Sequence, residues 1–341
     1  MTTLPTSTTV LWLTPDKPED ISVGRQRIAT HLEESGVDVT LRGTTSKTVL
    51  QSLRDAGQYD VIIGTTRAGA IAGTAIKLAT GTPLIVDHID PIRQFEENNP
   101  RWLATIVRQL ENVAFRVADR VLYVYDEEAN RVNRFGTATK TALGVDFDRF
   151  ANPDPDIVER AESALEGTVA ENVAIYVGGL EPIYHVRDLL AAATRLDESW
   201  TLLVLGTGSL SEQVERAAAS HDNIVYPGTV PHEVIPGYLH AADVGVCLVD
   251  DPHTLKVLEY GAAGLPTVQV RGRAEERFDG LVEFCDPTPD SIARAIERAG
   301  TEQTGSTGSS QSTTTGLQSF AREFDWAEIA ETYKNTITNL K

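Results

Sequence analysis

Residues 241–270 read AADVGVCLVDDPHTLKVLEYGAAGLPTVQV. Residues 244–249 are an apolar run of strand length. Thr254 stands where an N-cap belongs, ahead of a helix that begins near Leu255. A second apolar run, 267–270, follows that helix. Strand, helix and strand in this order form a βαβ unit, whose two strands lie parallel in one sheet.

The same alternation extends outward from this unit. Upstream, residues 10–13, 37–41, 61–63, 84–86 and 121–124 are strand-like, with helices expected at about 24–36 and 126–135. This set is complete near Val145. A second set follows at 173–177, 201–205, 224–225, 244–249, 267–270 and 282–284. The class is α/β, with parallel sheets covered by helices on both faces. Between the sets, residues 147–156 are rich in Asp and Pro and lack either periodicity, so they read as a linker. A chain of 341 residues also exceeds what one hydrophobic core usually serves, so two domains are expected, 1–150 and 151–316. Residues 301–316, TEQTGSTGSSQSTTTG, are poor in apolar residues and read as a flexible connection. A last helix over about 320–339 carries Trp326, Ile329 and Tyr333 at helical spacing and must bury that face.

Charge excludes one class of partner. There are 49 acidic against 30 basic residues, a formal net charge of −19, and only seven of the basic residues are lysine. Nucleic acid is therefore a poor partner, because phosphate binding needs a basic surface that releases counterions. An acidic, lysine-poor surface suits concentrated salt, where screening removes its self-repulsion. A halophile's protein is the expectation, with an ordinary acidic cytosolic enzyme as the alternative. Cys247 and Cys285 lie in or near expected strands without metal-ligand spacing, which points to packing in a reduced compartment and to no metal site. Neither a signal peptide nor an apolar run of membrane-spanning length is present, so a cytoplasmic location is expected.

The 241–270 unit also carries chemistry. The free N–H groups of a helix's first turn make an anion site. Lys256 and Glu259, three residues apart, project from one face of that helix. An ammonium there suits a phosphate, and a carboxylate one turn on suits ribose hydroxyls. Asp251, in the loop ahead, has the reach for a further hydroxyl of such a ligand. The plain alternative is an ordinary surface ion pair between Lys256 and Glu259.

Lys256, Glu259, Tyr260, Ala262, Gly264 and Pro266 fit the pattern K-x-x-E-Y-x-A-x-G-x-P. With it the stretch resembles the signature of the retaining GT-B glycosyltransferases grouped as family 4, also called glycosyl transferases group 1. In that family the Lys and Glu hold the nucleotide diphosphate and the ribose. Residues 174–180 (AIYVGGL) resemble the first strand and loop of the family's nucleotide-binding domain, and 203–208 (LVLGTG) its glycine loop. Residues 224–231 (IVYPGTVP) resemble the segment that meets the base, 143–150 (LGVDFDRF) the interdomain hallmark, and 324–333 (FDWAEIAETY) the closing helix. Gly178, Gly206 and Thr229 fall in the loops that this resemblance gives to the nucleotide.

The resemblance implies two facing Rossmann-like domains with a cleft between them. Residues 1–150 would be the acceptor domain and 151–316 the nucleotide-sugar donor domain, with a helix over 317–341 packing back across to the first. The implied activity is retaining transfer of a hexose-type sugar from a UDP- or GDP-sugar to a glycan, lipid-linked glycan or related acceptor, with no cofactor. Two departures matter. Gly179 stands where family members often carry Arg, with only His185 and Arg187 beyond it, which shifts phosphate binding toward Lys256, the helix terminus and Arg187. Asp251 replaces the first Glu of the family's paired motif and is one methylene shorter.

In the first domain, residues 86–90 (VDHID) follow an expected strand at the carboxyl edge, where open α/β sheets bind ligands. His88 resembles the family's His that approaches the donor sugar from the facing domain. With Asp251 it is the catalytic candidate, stabilising charge at the anomeric centre. The alternative is a turn histidine between Asp87 and Asp90. Gly24 and Arg25, after the first strand, are candidates to approach the diphosphate from the other side. Residues 101–120 (RWLATIVRQLENVAFRVADR) form a helix with Trp102, Ile106, Leu110, Val113 and Val117 in an apolar stripe beside four arginines. Such a helix rests on a membrane surface near a lipid-linked acceptor, or packs its stripe inside the domain. Two other functions fit the chain: a GT-B sugar-nucleotide epimerase, and a non-catalytic glycosyltransferase-like binding subunit with a decayed phosphate loop.

Overall fold

The protein is described here from a computed structural model covering residues 8–15, 22–304 and 310–340. The first sheet is built from β1 (Thr8–Thr14), β2 (Val37–Gly43), β3 (Val61–Thr65), β4 (Leu84–His88), β5 (Arg120–Tyr123) and β6 (Ala138–Lys140). The second contains β7 (Asn172–Val177), β8 (Trp200–Leu205), β9 (Ile224–Gly228), β10 (Val244–Cys247), β11 (Thr267–Val270) and β12 (Glu283–Cys285). Each sheet is wholly parallel, in the orders β2-β1-β3-β4-β5-β6 and β12-β11-β10-β7-β8-β9. Every residue of β3, β4 and β8 is buried, because helices cover both faces of such a sheet. The α/β expectation therefore holds for both halves.

The chain divides into two compact units. One takes residues up to Gly144 together with Trp326 onward, and the other is Val145–Asp325. In each, the first strand lies inside the sheet: β1 between β2 and β3, and β7 between β8 and β10. The chain winds outward one way and then the other, which leaves a crevice beyond the carboxyl ends of the strands where the order reverses. In the second unit that crevice falls between β7 and β10, the strands that lead into Gly178 and Asp251.

Local structure corrects three sequence readings. Residues 147–156 are no linker: they form the Phe147–Ala151 helix and the start of the Pro155–Leu165 helix. Phe147 and Phe150 are each 1% exposed, and Asp154 caps the second helix by accepting from the Asp156 N–H at 3.0 Å. The Asp and Pro content was a helix-start signal, with Pro155 in the first turn. Residues 301–316 are not a flexible connection throughout. The Pro289–Thr304 helix runs through the first four, residues 305–309 lie outside the described residues, and the Ser310–Arg322 helix takes the rest. That helix is anchored because Leu317 and Ala321 are buried. The single helix expected near 320–339 is in fact two, and the second, Trp326–Thr338, buries Trp326, Ile329 and Tyr333 in the first unit.

A fourth difference concerns the Arg101–Val117 helix. It buries Ala104, Glu111, Asn112, Ala114 and Phe115 and turns Trp102, Ile106, Leu110 and Val113 to solvent.

Candidate functional site

β7 leads into Gly178 and β8 into Gly206, both at φ 145°, a conformation that costs glycine little and other residues much. The two turns also touch. A Cβ on Gly206 would overlap the Gly178 carbonyl oxygen, and one on Gly178 would strike Cε and Nζ of Lys256. Backbone bonds hold the stack: the Gly178 N–H donates to Leu205 O and the Gly206 N–H to Gly228 O, each at 2.9 Å. Two phenols brace it, Tyr176 donating to Gly179 O at 2.6 Å and Tyr226 to Gly206 O at 2.9 Å. Beside these turns opens a cavity of about 280 Å³, walled by Gly178, Gly206, Thr207, Thr229, Val230 and His232. A larger hollow of about 600 Å³ lies at the amino ends of β7 and β10, among Glu162, Glu166, Glu171, His240 and Asp243. Its acidic wall repels phosphate, so the smaller cavity is the better anion site.

Lys256 is the second residue of the Leu255–Ala262 helix. Its stem crosses bare Gly178, and its ammonium lies 4.9 Å from the Tyr184 ring centroid and 6.0 Å from that of Tyr176. Among the described residues Lys256 has no carboxylate partner, so the surface ion pair with Glu259 is not formed. Glu259, one turn on and 18% exposed, instead lies 3.7 Å from His232 Nε2. Arg149 reaches the other side of His232, donating to its carbonyl at 2.5 Å and to Nδ1 at 3.1 Å. Guanidinium groups only donate, so Nδ1 accepts here and the ring proton sits on Nε2, facing Glu259. Tyr260 locks the helix to the sheet, its Oη accepting from the Val177 N–H at 3.1 Å. Tyr184 and His232 lie outside every motif of the sequence, and Tyr176 and Arg149 lie within two of them without a role of their own; only their neighbours give the four a place in the site.

Other candidates stand apart from this cavity. Asp251 Oδ1 accepts from the His253 N–H at 2.9 Å within its own loop. Thr254 occupies the N-cap position, yet its hydroxyl makes no cap bond and lies 3.7 Å from Cys247 Sγ. Arg187 donates to Gln213 Oε1 at 3.1 Å, away from the cavity wall. Cys247 and Cys285 are buried free thiols in β10 and β12, and burial pushes the Cys285 thiol up to about 12.

The first unit holds His88 and Gly24. Successive strand residues point to opposite faces, and β4 uses this to separate Asp87 from His88. His88 is 3% exposed, with Nε2 3.0 Å from Glu128 Oε2 and Nδ1 3.9 Å from Glu111 Oε1. Its ion-pair partners among the described residues are these two glutamates, and it is the last residue of a strand, so it is not a turn histidine clasped by Asp87 and Asp90. Arg131 bridges the same pair at 2.9 Å to each. Gly24 serves packing: a side chain there would collide with the Trp326 indole. Arg25 turns inward, its Nε 3.0 Å from Asp87 Oδ2.

Burial alone would raise the Glu128 pKa. The hydrogen bond and charge of His88, with Arg131 and the Ile92 N–H, outweigh it and bring the carboxyl from 4.5 down to about 2. A depressed carboxyl stabilises the fold fully above its unfolded pKa and loses that contribution as it protonates. The first unit should therefore lose stability as pH falls from about 4.5 through about 2. Thermal unfolding across that range should show a steeper loss for the native chain than for Glu128→Gln.

Residues 171–301 match the family model described as glycosyl transferases group 1. No curated protein matches the sequence. Among solved structures, Anabaena Alr3699/HepE in complex with UDP superposes with a TM-score of 0.76 at 16% identity, covering 97% of this chain and 100% of that one. Sucrose-phosphate synthase from Thermosynechococcus elongatus gives 0.75 at 15%, covering 98% and 99%. A UDP-forming trehalose-phosphate synthase from Burkholderia xenovorans gives 0.73 at 12%, with coverage of 98% and 99%. No helix among the described residues is long and apolar enough to cross a membrane. The chain thus has the GT-B fold, and its match to glycosyl transferases group 1 spans the glycine turns that line the cavity and the helix that carries Lys256 and Glu259.

Proposed function

We propose that this chain is a retaining glycosyltransferase that moves a hexose-type sugar from a UDP-sugar to a glycan, lipid-linked glycan or related acceptor. The observation that carries this reading is Lys256. It is a cation without a carboxylate partner among the described residues, laid across the glycine turn of β7 at the rim of the cavity, with Glu259 on the same helix face. UDP is favoured over GDP because Alr3699/HepE is crystallised with UDP and with UDP-glucose.

In this reading Lys256 neutralises the diphosphate, Glu259 accepts from the ribose hydroxyls, and Gly178 and Gly206 let the backbone approach the ligand. Thr229 lies beside the base, Asp251 holds a sugar hydroxyl and Arg187 adds charge near the phosphates. The proton of the acceptor hydroxyl passes to the departing phosphate on the same face of the sugar, so no separate base is needed. Lys256 stabilises the negative charge that grows on the leaving group, where a fixed cation lowers the barrier most. His88, backed by Glu128 and Glu111, is assigned to charge at the anomeric centre from the resemblance. Cytoplasmic work in concentrated salt fits the charge of −19.

One observation favours a second reading, a binding subunit without turnover: the loop after β7 has Gly179 in place of an arginine, and Arg187 is engaged by Gln213. Calorimetry with UDP- and GDP-sugars in concentrated salt tests both. The native chain should bind a UDP-sugar saturably, and Glu259→Ala should weaken binding roughly 10- to 100-fold, the worth of one or two charged hydrogen bonds. Slow UDP release with water as acceptor would mark an enzyme. Binding without release would favour the subunit, and no binding by the folded native chain would overturn both.

A further inference from the structure

The Arg101–Val117 helix is turned the unusual way. Trp102 is 67% exposed, Ile106 50%, Leu110 44% and Val113 45%. At about 100° per residue these four occupy roughly 80° of arc, one continuous apolar strip along the helix. An amphipathic helix normally faces that strip inward. Here the inward face carries Glu111 and Asn112, because Arg131 bonds to both at 2.9 Å and Arg67 Nε approaches Glu111 at 3.3 Å. The interior is satisfied by charge, and the strip is left in water.

Cations flank the strip. Arg116 stacks over the Phe135 ring at 4.5 Å and Arg134 over the same ring at 5.5 Å. With Arg108 and Arg131 they line a groove of about 610 Å³ beside the helix. Arg108 is paired with Glu96, and Arg131 with Glu111 and Glu128. Among the described residues Arg101, Arg116 and Arg134 have no ion pair. Three unpaired arginines next to exposed Trp, Ile, Leu and Val stand out in a chain of net charge −19.

We propose that this face docks on an anionic lipid bilayer. Trp102, Ile106, Leu110 and Val113 enter the boundary between headgroups and acyl chains, while Arg101, Arg116 and Arg134 meet lipid phosphates. The charges choose this occupant over a second copy of the chain. A two-fold contact through the strip would set the same unpaired arginines against one another. An anionic surface instead attracts this patch and repels the acidic remainder, which orients the molecule. The docking face lies in the first unit and does not depend on the donor site.

The test uses the full chain and vesicles of phosphatidylcholine alone or mixed in equal parts with phosphatidylglycerol. Trp102 is the one exposed tryptophan, since Trp12, Trp200 and Trp326 are buried, so its emission reports insertion directly. The native chain should sediment with the mixed vesicles with a blue-shifted emission. Ile106→Glu with Leu110→Glu, both at exposed positions, should reduce partitioning at least about tenfold. Arg116→Ala with Arg134→Ala should reduce it roughly fivefold per arginine at low salt. Far-UV circular dichroism checks that the variants stay folded. The proposal is overturned if the native chain ignores phosphatidylglycerol vesicles, or if the glutamate pair binds them as well as the native chain. It is equally overturned if light scattering shows a native dimer that the glutamate pair converts to monomer without any change in vesicle binding.

Discussion

Replacing Asp87 with alanine should destabilise the first unit by about 3–5 kcal/mol, the cost of leaving a buried charge uncompensated. Asp87 is fully buried at the end of β4. Its Oδ1 accepts from Tyr333 Oη at 2.7 Å, and its Oδ2 accepts from Thr65 Oγ1 at 2.7 Å and pairs with Arg25 Nε at 3.0 Å. Thr65 accepts in turn from Trp12 Nε1 at 2.7 Å, and the Trp12 ring stacks on Tyr333 at 5.4 Å. One carboxylate thus ties together β1, β3, the first helix and the last helix. Without it the Arg25 guanidinium, 3% exposed, loses its ion-pair partner and keeps only the weaker attraction of Asp90. Tyr333→Phe keeps the stacking and removes one hydrogen bond to a charged group, so it should cost about 1.5–3 kcal/mol. Urea unfolding of the native chain and both variants checks the order. Combining Arg25→Met with Asp87→Ala should cost less than the sum of the single changes, because both partners of the pair then leave together. An Asp87→Ala chain as stable as the native one would show that the network contributes little.

Gly206→Ala should cost at least about 3 kcal/mol and remove ligand affinity from the cavity. The added methyl would fall within the Gly178 carbonyl oxygen while φ at 206 stays at 145°. Neither turn can step aside, because Gly178 and Gly206 are each held by a backbone bond of 2.9 Å to the neighbouring strand. Gly228 is the control. Its φ is 85° but a Cβ there meets nothing within 4 Å, so Gly228→Ala carries backbone strain alone, about 1–2 kcal/mol. Thermal unfolding gives both stabilities, and calorimetry with a UDP-sugar separates loss of the cavity from loss of the fold. Equal effects at the two positions would mean that the contact between the glycine turns is unimportant.

These two sites differ in how much the sequence could say about them. The glycines announced themselves: each follows an apolar strand, at the place where a parallel sheet needs a tight exit. The Asp87 network did not. Its acceptor and its phenol donor are separated by 246 positions, and no local pattern links residues so far apart. His88 stands out in the sequence by its place at the carboxyl edge of an expected strand and by its resemblance to a family histidine, but its partners Glu111 and Glu128 come from two later helices that no local pattern links to it. Arg25 looked like a loop cation and proved to be a buried one.

What the sequence determined by itself is what the backbone repeats determine. Apolar runs of strand length alternating with helices give parallel sheets, and helical spacing puts Lys256 and Glu259 on one face, since both follow from geometry within a few residues. The tertiary structure decided which face of each element meets the interior. It buried Glu111 and Asn112 and exposed Trp102, Ile106, Leu110 and Val113, against the apolar periodicity of their helix. It also made residues 147–156 helical by giving Phe147 and Phe150 somewhere to bury. The physical reason is common to both cases: periodicity is local, while burial and charge pairing depend on partners that only the folded chain brings within reach.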